Sequence, residues 1–357
     1  MRRLLLPLVL ASPLALAACG GDDGGESGPS TGGAASGGNG GTGGSAGGGG
    51  SAGGGGSAGG GGSAATGALP EGDTGLGAKY PGDVGIGSDP AVLFADDFEA
   101  ATVPVDLRDK WDVVWDETRL RIATEADNVN GESKAVEMPF PKTSGSVGNG
   151  LMKHLLAEQD ILFLRFYQKF EAGFDVTGAG SFHNTGSISA HYHVNGQSTP
   201  GVPADGKNKF LVSYEATVYS NGPPPGHLIA YVYHPEQRDD YGDIFYPTGE
   251  VSPNTSLPGN FGPDFVKRPN VAPALDEWQC YELMVKANTP GQRDGRIAMW
   301  LDGKLIADFP NMRLRDIDSL KIDYLGIGGY ISPNEVRENK LWYDDVVAAT
   351  QYIGPRK

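Results

Sequence analysis

The chain has 357 residues, 56 of them Gly, and carries 28 Lys and Arg against 44 Asp and Glu, a formal charge of −16. A surface this acidic repels a nucleic-acid backbone, and no basic run offsets it, so nucleic acid is excluded as a partner. Beyond the N-terminus no stretch is long and apolar enough to cross a bilayer as a helix, and two cysteines, Cys19 and Cys280, exclude a disulfide framework.

Met1 to Ala18 has a positive start (Arg2, Arg3), an apolar run from Leu4 to Leu16 and small residues before Cys19, the pattern of an export signal. Leu16-Ala17-Ala18-Cys19 resembles the bacterial lipobox, which implies that Cys19 is lipidated and becomes the first mature residue. Gly20 to Ala68 then holds 26 Gly in 49 residues, with Gly-Gly-Gly-Gly-Ser-Ala repeated from Gly47 to Ala64. So few apolar side chains cannot offset the entropy of ordering, and a Gly/Ser coil of this length spans about 40 Å end to end. The organisation expected is a signal peptide at 1–18, a lipidated Cys with its tether at 19–89, and one folded domain at 90–357. The protein is expected to be exported and lipid-anchored at the cell envelope, touching membrane through the lipid only. Gly20, where an Asp would favour the inner membrane, inclines the expectation to the outer membrane or cell surface.

From Ala91 onward, short apolar or alternating runs are broken by Gly, Pro, Asn and Asp, the signature of an all-β domain. Gly150 to Gln159 alone offers a helical spacing. Ile161 to Phe170 alternates Leu162, Leu164, Phe166, Gln168 and Phe170 against Phe163, Arg165, Tyr167 and Lys169, so one face is core and the other is assigned to chemistry. Ser187 to Val194 reads as a strand with Ser187, Ser189, His191 and His193 on one side. Phe210 to Tyr219 and His227 to His234 read as two more strands, the second carrying Tyr231 and Tyr233. Trp278 to Asn288 follows, with Cys280 as a small buried hydrophobe, and then a hairpin turning at Asp302-Gly303. Leu320 to Tyr330 and Lys340 to Thr350 end the chain as strands. At least ten strands without βα alternation predict two antiparallel sheets packed face to face, a jelly-roll β-sandwich.

The order of Val92-Leu93-Phe94-Ala95-Asp96-Asp97-Phe98-Glu99, Ile161 to Phe170, Trp278 with Trp300-Leu301-Asp302-Gly303, and Trp342-Tyr343-Asp344-Asp345-Val346-Val347 resembles the concanavalin A-like jelly-roll group. Within it the chain is similar to secreted polysaccharide lyases of the glucuronan-lyase and alginate-lyase type, over about Val92 to Gly354. The resemblance implies a groove on one sheet for an extracellular acidic polysaccharide and a β-elimination at a uronic acid. There a cation or polar group neutralises the carboxylate, a base removes the C5 proton and an acid protonates the leaving oxygen. Strand faces and side-chain chemistry nominate Arg165 and Lys169 for the carboxylate, His191 or His193 as base, and Tyr231 or Tyr233 as acid. Tyr167, His183, Gln237 and Arg238 are the candidates for substrate binding, through aromatic faces and hydrogen bonds. The resemblance also implies a structural Ca²⁺ held by Asp97, Glu99, Asp344 and Asp345 on the first and last strands. His191-x-His193 has no third ligand at zinc spacing. A glycoside hydrolase on the same fold would need paired carboxylates, and Glu125-Ala126-Asp127-Asn128-Val129-Asn130 ends in Asn where that pattern needs Glu. A non-catalytic glycan-binding lipoprotein is the remaining alternative. The chain is expected to act as a monomer.

Overall fold

The computed structural model describes residues 67–179, 181–194, 196–217, 222–255, 257 and 261–357; the export signal, Cys19 and the tether as far as residue 66 lie outside the described residues. The strands are β1 (Val92–Asp96), β2 (Val113–Trp115), β3 (Arg121–Ala123), β4 (Ala135–Phe140), β5 (Val147–Gln159) and β6 (Ile161–Phe170). Then come β7 (Ser181–Ala190), β8 (His193–Val194), β9 (Gln197–Ser198), β10 (Phe210–Thr217), β11 (His227–Tyr233) and β12 (Asp243–Phe245). The last are β13 (Val251–Ser252), β14 (Gln279–Lys286), β15 (Gly295–Leu301), β16 (Lys304–Met312), β17 (Ile322–Ser332) and β18 (Asn339–Ala349).

Two antiparallel sheets form the sandwich. The first runs β16-β15-β14-β6-β18-β4-β3, with β1 also on β18, so the first and last strands pair. The second runs β13-β12-β11-β10-β7-β17-β5-β2. Alternation decides which residues lie between them. Leu162, Leu164, Phe166 and Phe170 of β6 meet Phe210, Val212, Tyr214 and Ala216 of β10 and Leu228, Ala230 and Val232 of β11 in one core. Phe166 stacks on Tyr281 at 5.4 Å and presses so closely on β7 that a Cβ at Gly186 would lie 2.0 Å from its ring, so only glycine fits there. The β15–β16 turn uses Asp302 (φ 50°) and Gly303 (φ 75°), both left-handed, as a tight hairpin matched to strand twist requires.

Two expectations are corrected. Gly150 to Gln159 is strand, the greater part of β5, paired along β17 from Val147↔Ile331 to Gln159↔Ile322. Its core residues Leu151 and Leu155 are four apart, a spacing that fits a period of 2 as well as one of 3.6. The tether also ends before Asp89. Leu76, in a single helical turn, and Ile86 pack with Phe163, Met284, Trp300 and Ile353 on the far face of the first sheet. The Trp300 indole N–H donates to the carbonyl of Pro70, and Gly72 N–H to that of Gly303. Residues 69–89 are therefore a strap that covers Phe163 and Arg165 on the face of β6 assigned above to chemistry.

Candidate functional site

The outward face of the second sheet forms a cleft. Its floor is lined by glycines: Gly150 of β5 lies opposite Gly328 of β17, and Gly326 opposite Met152, with the Trp115 ring against Gly150 and the Met152 side chain beside Gly326. Trp115, Met152, His183, Tyr192, His193, Tyr231, Tyr233 and Tyr330 stand around this floor. They come from β2, β5, β7, β8, β11, β17 and the turn before β8, each placed by the parity that puts its neighbours in the core.

At one end, His183 Nδ1 lies 2.8 Å from Glu215 Oε2. An ionised carboxylate only accepts, so this pairing assigns the ring proton to Nδ1 and the lone pair to Nε2. Tyr330, directly across from His183 in the β17–β7 register, has its ring centroid 6.2 Å away, and Tyr231 lies 5.2 Å away. The Tyr330 hydroxyl donates to Ser146 Oγ at 3.0 Å, and the Tyr231 hydroxyl accepts Gly242 N–H at 3.1 Å. Ser187 and Ser213, adjacent in the β7–β10 register, complete the polar lining beside the dyad. Among the described lining residues Glu215 is the one carboxylate, and neither Lys nor Arg reaches the surface of the cleft.

At the other end, the β8–β9 turn forms a wall. His193 is 8% exposed, its Nδ1 lies 3.3 Å from Ser198 Oγ, and burial together with the nearby Lys209 charge pulls its pKa down to about 3. It is a neutral ring packed among Trp115, Tyr192 and Tyr324.

The sequence-nominated residues divide sharply between the two sheets. Arg165 is fully buried on the far face of the first sheet, paired with Asp83 of the strap and donating to the carbonyl of Asp345 at 3.1 Å. Tyr167 beside it accepts Arg356 N–H at 2.8 Å, and Lys169 binds Asp276 and the carbonyl of Asp127, each at 2.8 Å. These three lie outside the cleft. The alternation that found them is right, but it could not show that Asp83 of the strap would cover Arg165, Arg356 would meet Tyr167, and Asp276 with the carbonyl of Asp127 would hold Lys169. β7 ends at Ala190, and His191 turns out of the sheet at φ 51°, its backbone N–H on Asp323 and its ring 3.8 Å from Glu158 at the rim. Tyr233 is buried, its hydroxyl accepting Gly201 N–H at 3.3 Å. Gln237 braces its own loop through Ala204, Asp239 and Tyr241, and Arg238 is exposed on that loop. His183, His193, Tyr231 and Tyr233 thus line the cleft; Arg165, Tyr167, Lys169, His191, Gln237 and Arg238 do not.

Glu215 and Tyr330 escaped the sequence reading. Phe210, Val212, Tyr214 and Ala216 mark one face of β10 as core, so the opposite parity already pointed Ser213 and Glu215 outward. Nothing in the sequence said that His183, on another strand, would meet Glu215.

The four carboxylates named for Ca²⁺ fall in one neighbourhood but do not fit a cation cage. Glu99 accepts from Ser133 and Lys134, Asp345 from Arg356 and Asn130, and Asp344 from the backbone N–H groups of Asn130 and Asp345. Among the described residues no group of three or more His, Cys, Asp or Glu side chains is arranged to hold a metal.

No family model and no curated protein sequence matches the chain. Solved structures do. A double variant of alginate lyase Aly36B in complex with alginate trisaccharide superposes with a TM-score of 0.52 at 17% identity, over 74% of this chain and 99% of its own. The marine PL-14 alginate lyase from Aplysia kurodai superposes at 0.51 with 14% identity, over 72% and 99%. At such identities the likeness establishes the fold, the jelly-roll β-sandwich.

Proposed function

We propose that the protein is a polysaccharide lyase that cleaves a uronic-acid-containing glycan by β-elimination at the His183–Glu215 end of the cleft. The observation that carries this reading is the dyad itself, an imidazole oriented by a carboxylate and flanked by Tyr231 and Tyr330 in a glycine-floored cleft. His183 Nε2 takes the C5 proton. The C5–H electron pair forms the C4–C5 double bond, the C4–O bond breaks, and the Tyr231 hydroxyl protonates the departing oxygen. Glu215 keeps the imidazole in the required tautomer and stabilises the imidazolium as it forms. The solved neighbours bearing alginate-lyase names support the same reading through fold. Hydrolysis by two carboxylates finds no support in a cleft whose described lining offers Glu215 alone.

The absence of Lys and Arg from the described lining favours a second reading, a glycan-binding lipoprotein without catalysis. One assay separates the readings. The full chain is incubated with glucuronan, alginate, pectate and neutral β-glucans while absorbance at about 235 nm and reducing ends are followed together. Rising absorbance on a uronate is the expected result. Reducing ends without absorbance would replace elimination by hydrolysis, and retention on a polysaccharide gel with neither signal would leave the binding protein. The export signal and the lipobox ending at Cys19 support a place at the cell envelope, with the tether carrying the domain to extracellular glycan.

A further inference from the structure

Five cations are buried among the described residues: Arg165, Lys169, Lys209, Arg296 and Arg315. Arg165 is paired with Asp83, Lys169 with Asp276, Arg296 with Asp308 and Arg315 with Asp160. Lys209 is 2% exposed, and among the described residues no carboxylate pairs with it. Its ammonium donates to the carbonyl and hydroxyl of Thr199 and lies 4.7 Å and 4.8 Å from the ring centroids of Tyr192 and Tyr233. A buried ammonium is costly without a counter-charge, and neutral oxygens with two ring faces offset only part of that cost. Burial accordingly lowers its pKa to about 8.

The position of this charge gives it a use. Tyr192 and Tyr233 both line the cleft, and so do His193 and Ser198, on the same turn that Lys209 holds through Thr199. A carboxylate entering the cleft there would meet the Ser198 hydroxyl and the His193 ring in front, with the ammonium behind a single layer of aromatic rings. We infer that this wall is a carboxylate subsite and that the anion of a bound uronate is the counter-charge Lys209 lacks. Lys209 touches no sugar. It is a specificity-determining residue acting through Tyr192, Tyr233 and the turn it anchors, and it selects acidic over neutral glycan in a cleft with no cation on its described surface. The inference rests on the reading that the cleft takes a uronic-acid-containing glycan, and it adds the residue that selects the acid.

The test compares a polyuronate with the same polymer after its carboxyl groups have been reduced to alcohols. Binding is titrated calorimetrically to the full chain carrying His183→Ala, so that the polymer stays intact, with and without Lys209→Met. The expected result is about tenfold tighter binding of the polyuronate than of the reduced polymer, collapsing towards parity on Lys209→Met while affinity for the reduced polymer is kept. An unchanged ratio, or a proportional loss of both affinities, would overturn the inference, because a purely structural lysine weakens both ligands alike. Should Lys209→Met fail to fold, Lys209→Gln, which removes the charge and keeps a donor for Thr199, must show the same collapse of the ratio, and an unchanged ratio in it overturns the inference. Preference for the polyuronate without any absorbance at about 235 nm removes elimination and leaves this subsite standing, whereas no binding of either polymer overturns both.

Discussion

Across β7 and β10, the imidazole of His183 and the carboxylate of Glu215 meet at 2.8 Å on the outward face of a sheet whose other face packs into the core. A carboxylate held against a ring nitrogen in this way sets the tautomer, so its removal should cost turnover more than binding. Glu215→Gln is expected to lower kcat by about 10- to 100-fold with little change in KM, and His183→Ala to lower it by about 10²- to 10⁴-fold. Initial rates of unsaturated-product formation on the responsive uronate check both; a Glu215→Gln chain with normal kcat removes the dyad from the mechanism.

Arg165 and Asp83 make the opposite prediction. Breaking a buried pair leaves an uncompensated charge, at a cost of about 3–5 kcal/mol. Arg165→Met should therefore lower Tm by many degrees while leaving KM unchanged in the fraction that remains folded, since the pair lies on the sheet without the cleft. Thermal melts alongside kinetics at a temperature below both transitions decide it.

The strap yields a related expectation. A chain beginning at Pro90 loses Leu76, Ile86 and Asp83 from the far face of the first sheet and exposes Trp300 and Phe163. It should melt well below a chain beginning at Gly67 and be prone to aggregation. Equal melting temperatures for the two chains would show that the strap contributes nothing to stability.

Stability should fall as the pH rises through the neutral range. Burial and the neighbouring Asp345 carboxylate push Asp344 well above the ordinary carboxylate range, and burial pushes Glu282 up to about 7. The folded chain then holds protons that the unfolded chain has already released, so the stabilisation is present below the unfolded value and is lost as pH climbs through the folded ones. Tm is expected to decline between about pH 6.5 and pH 8, because burial of neutral His193 adds stability as pH rises below that window and burial of Lys209 adds it above, with each group contributing at most about 1.4 kcal/mol per pH unit within its window. Asp344→Asn should flatten the slope whatever it does to absolute Tm, because the amide gives up one accepting oxygen to a backbone N–H. A slope unchanged by the substitution would remove Asp344 as its source.

Gly326 tests the floor. A Cβ there would sit 3.3 Å from Leu151 O and Ser187 Oγ, so those neighbours must give by a few tenths of an ångström. Gly326→Ala, with its melting temperature measured beside binding, places a methyl where the glycan lies and is expected to weaken oligosaccharide binding about tenfold. Calorimetric titration with the responsive polymer measures it, and undiminished affinity would move the ligand off the floor.

Much of the sandwich was legible because period 2 is a local property. Leu162 to Phe170, Phe210 to Ala216 and the Asp302-Gly303 turn carry their structure in their own order of apolar, polar and left-handed residues. Leu151 and Leu155 were misread because a separation of four satisfies both periods, and only pairing along β17 resolves it. His191 was misplaced because alternation does not announce where a strand stops; the positive φ at that residue turns the chain out of the sheet.

The sequence by itself determined that an all-β domain follows a glycine-rich stretch, and which side of each long strand faces the core. Hydrophobic alternation decides that without reference to any partner. Only the tertiary structure decided which outward face stays open. Arg165, Tyr167 and Lys169 looked as available as His183 and Glu215, because a strand's parity says that a side chain leaves the core and nothing about what lies beyond. The strap from 69 to 89 covered Phe163 and Arg165 on one face, the glycines of β5 and β17 lined the floor of the cleft on the other, and residues far apart in the chain, His183 with Glu215 and Lys209 behind Tyr192 and Tyr233, became neighbours through sheet order alone.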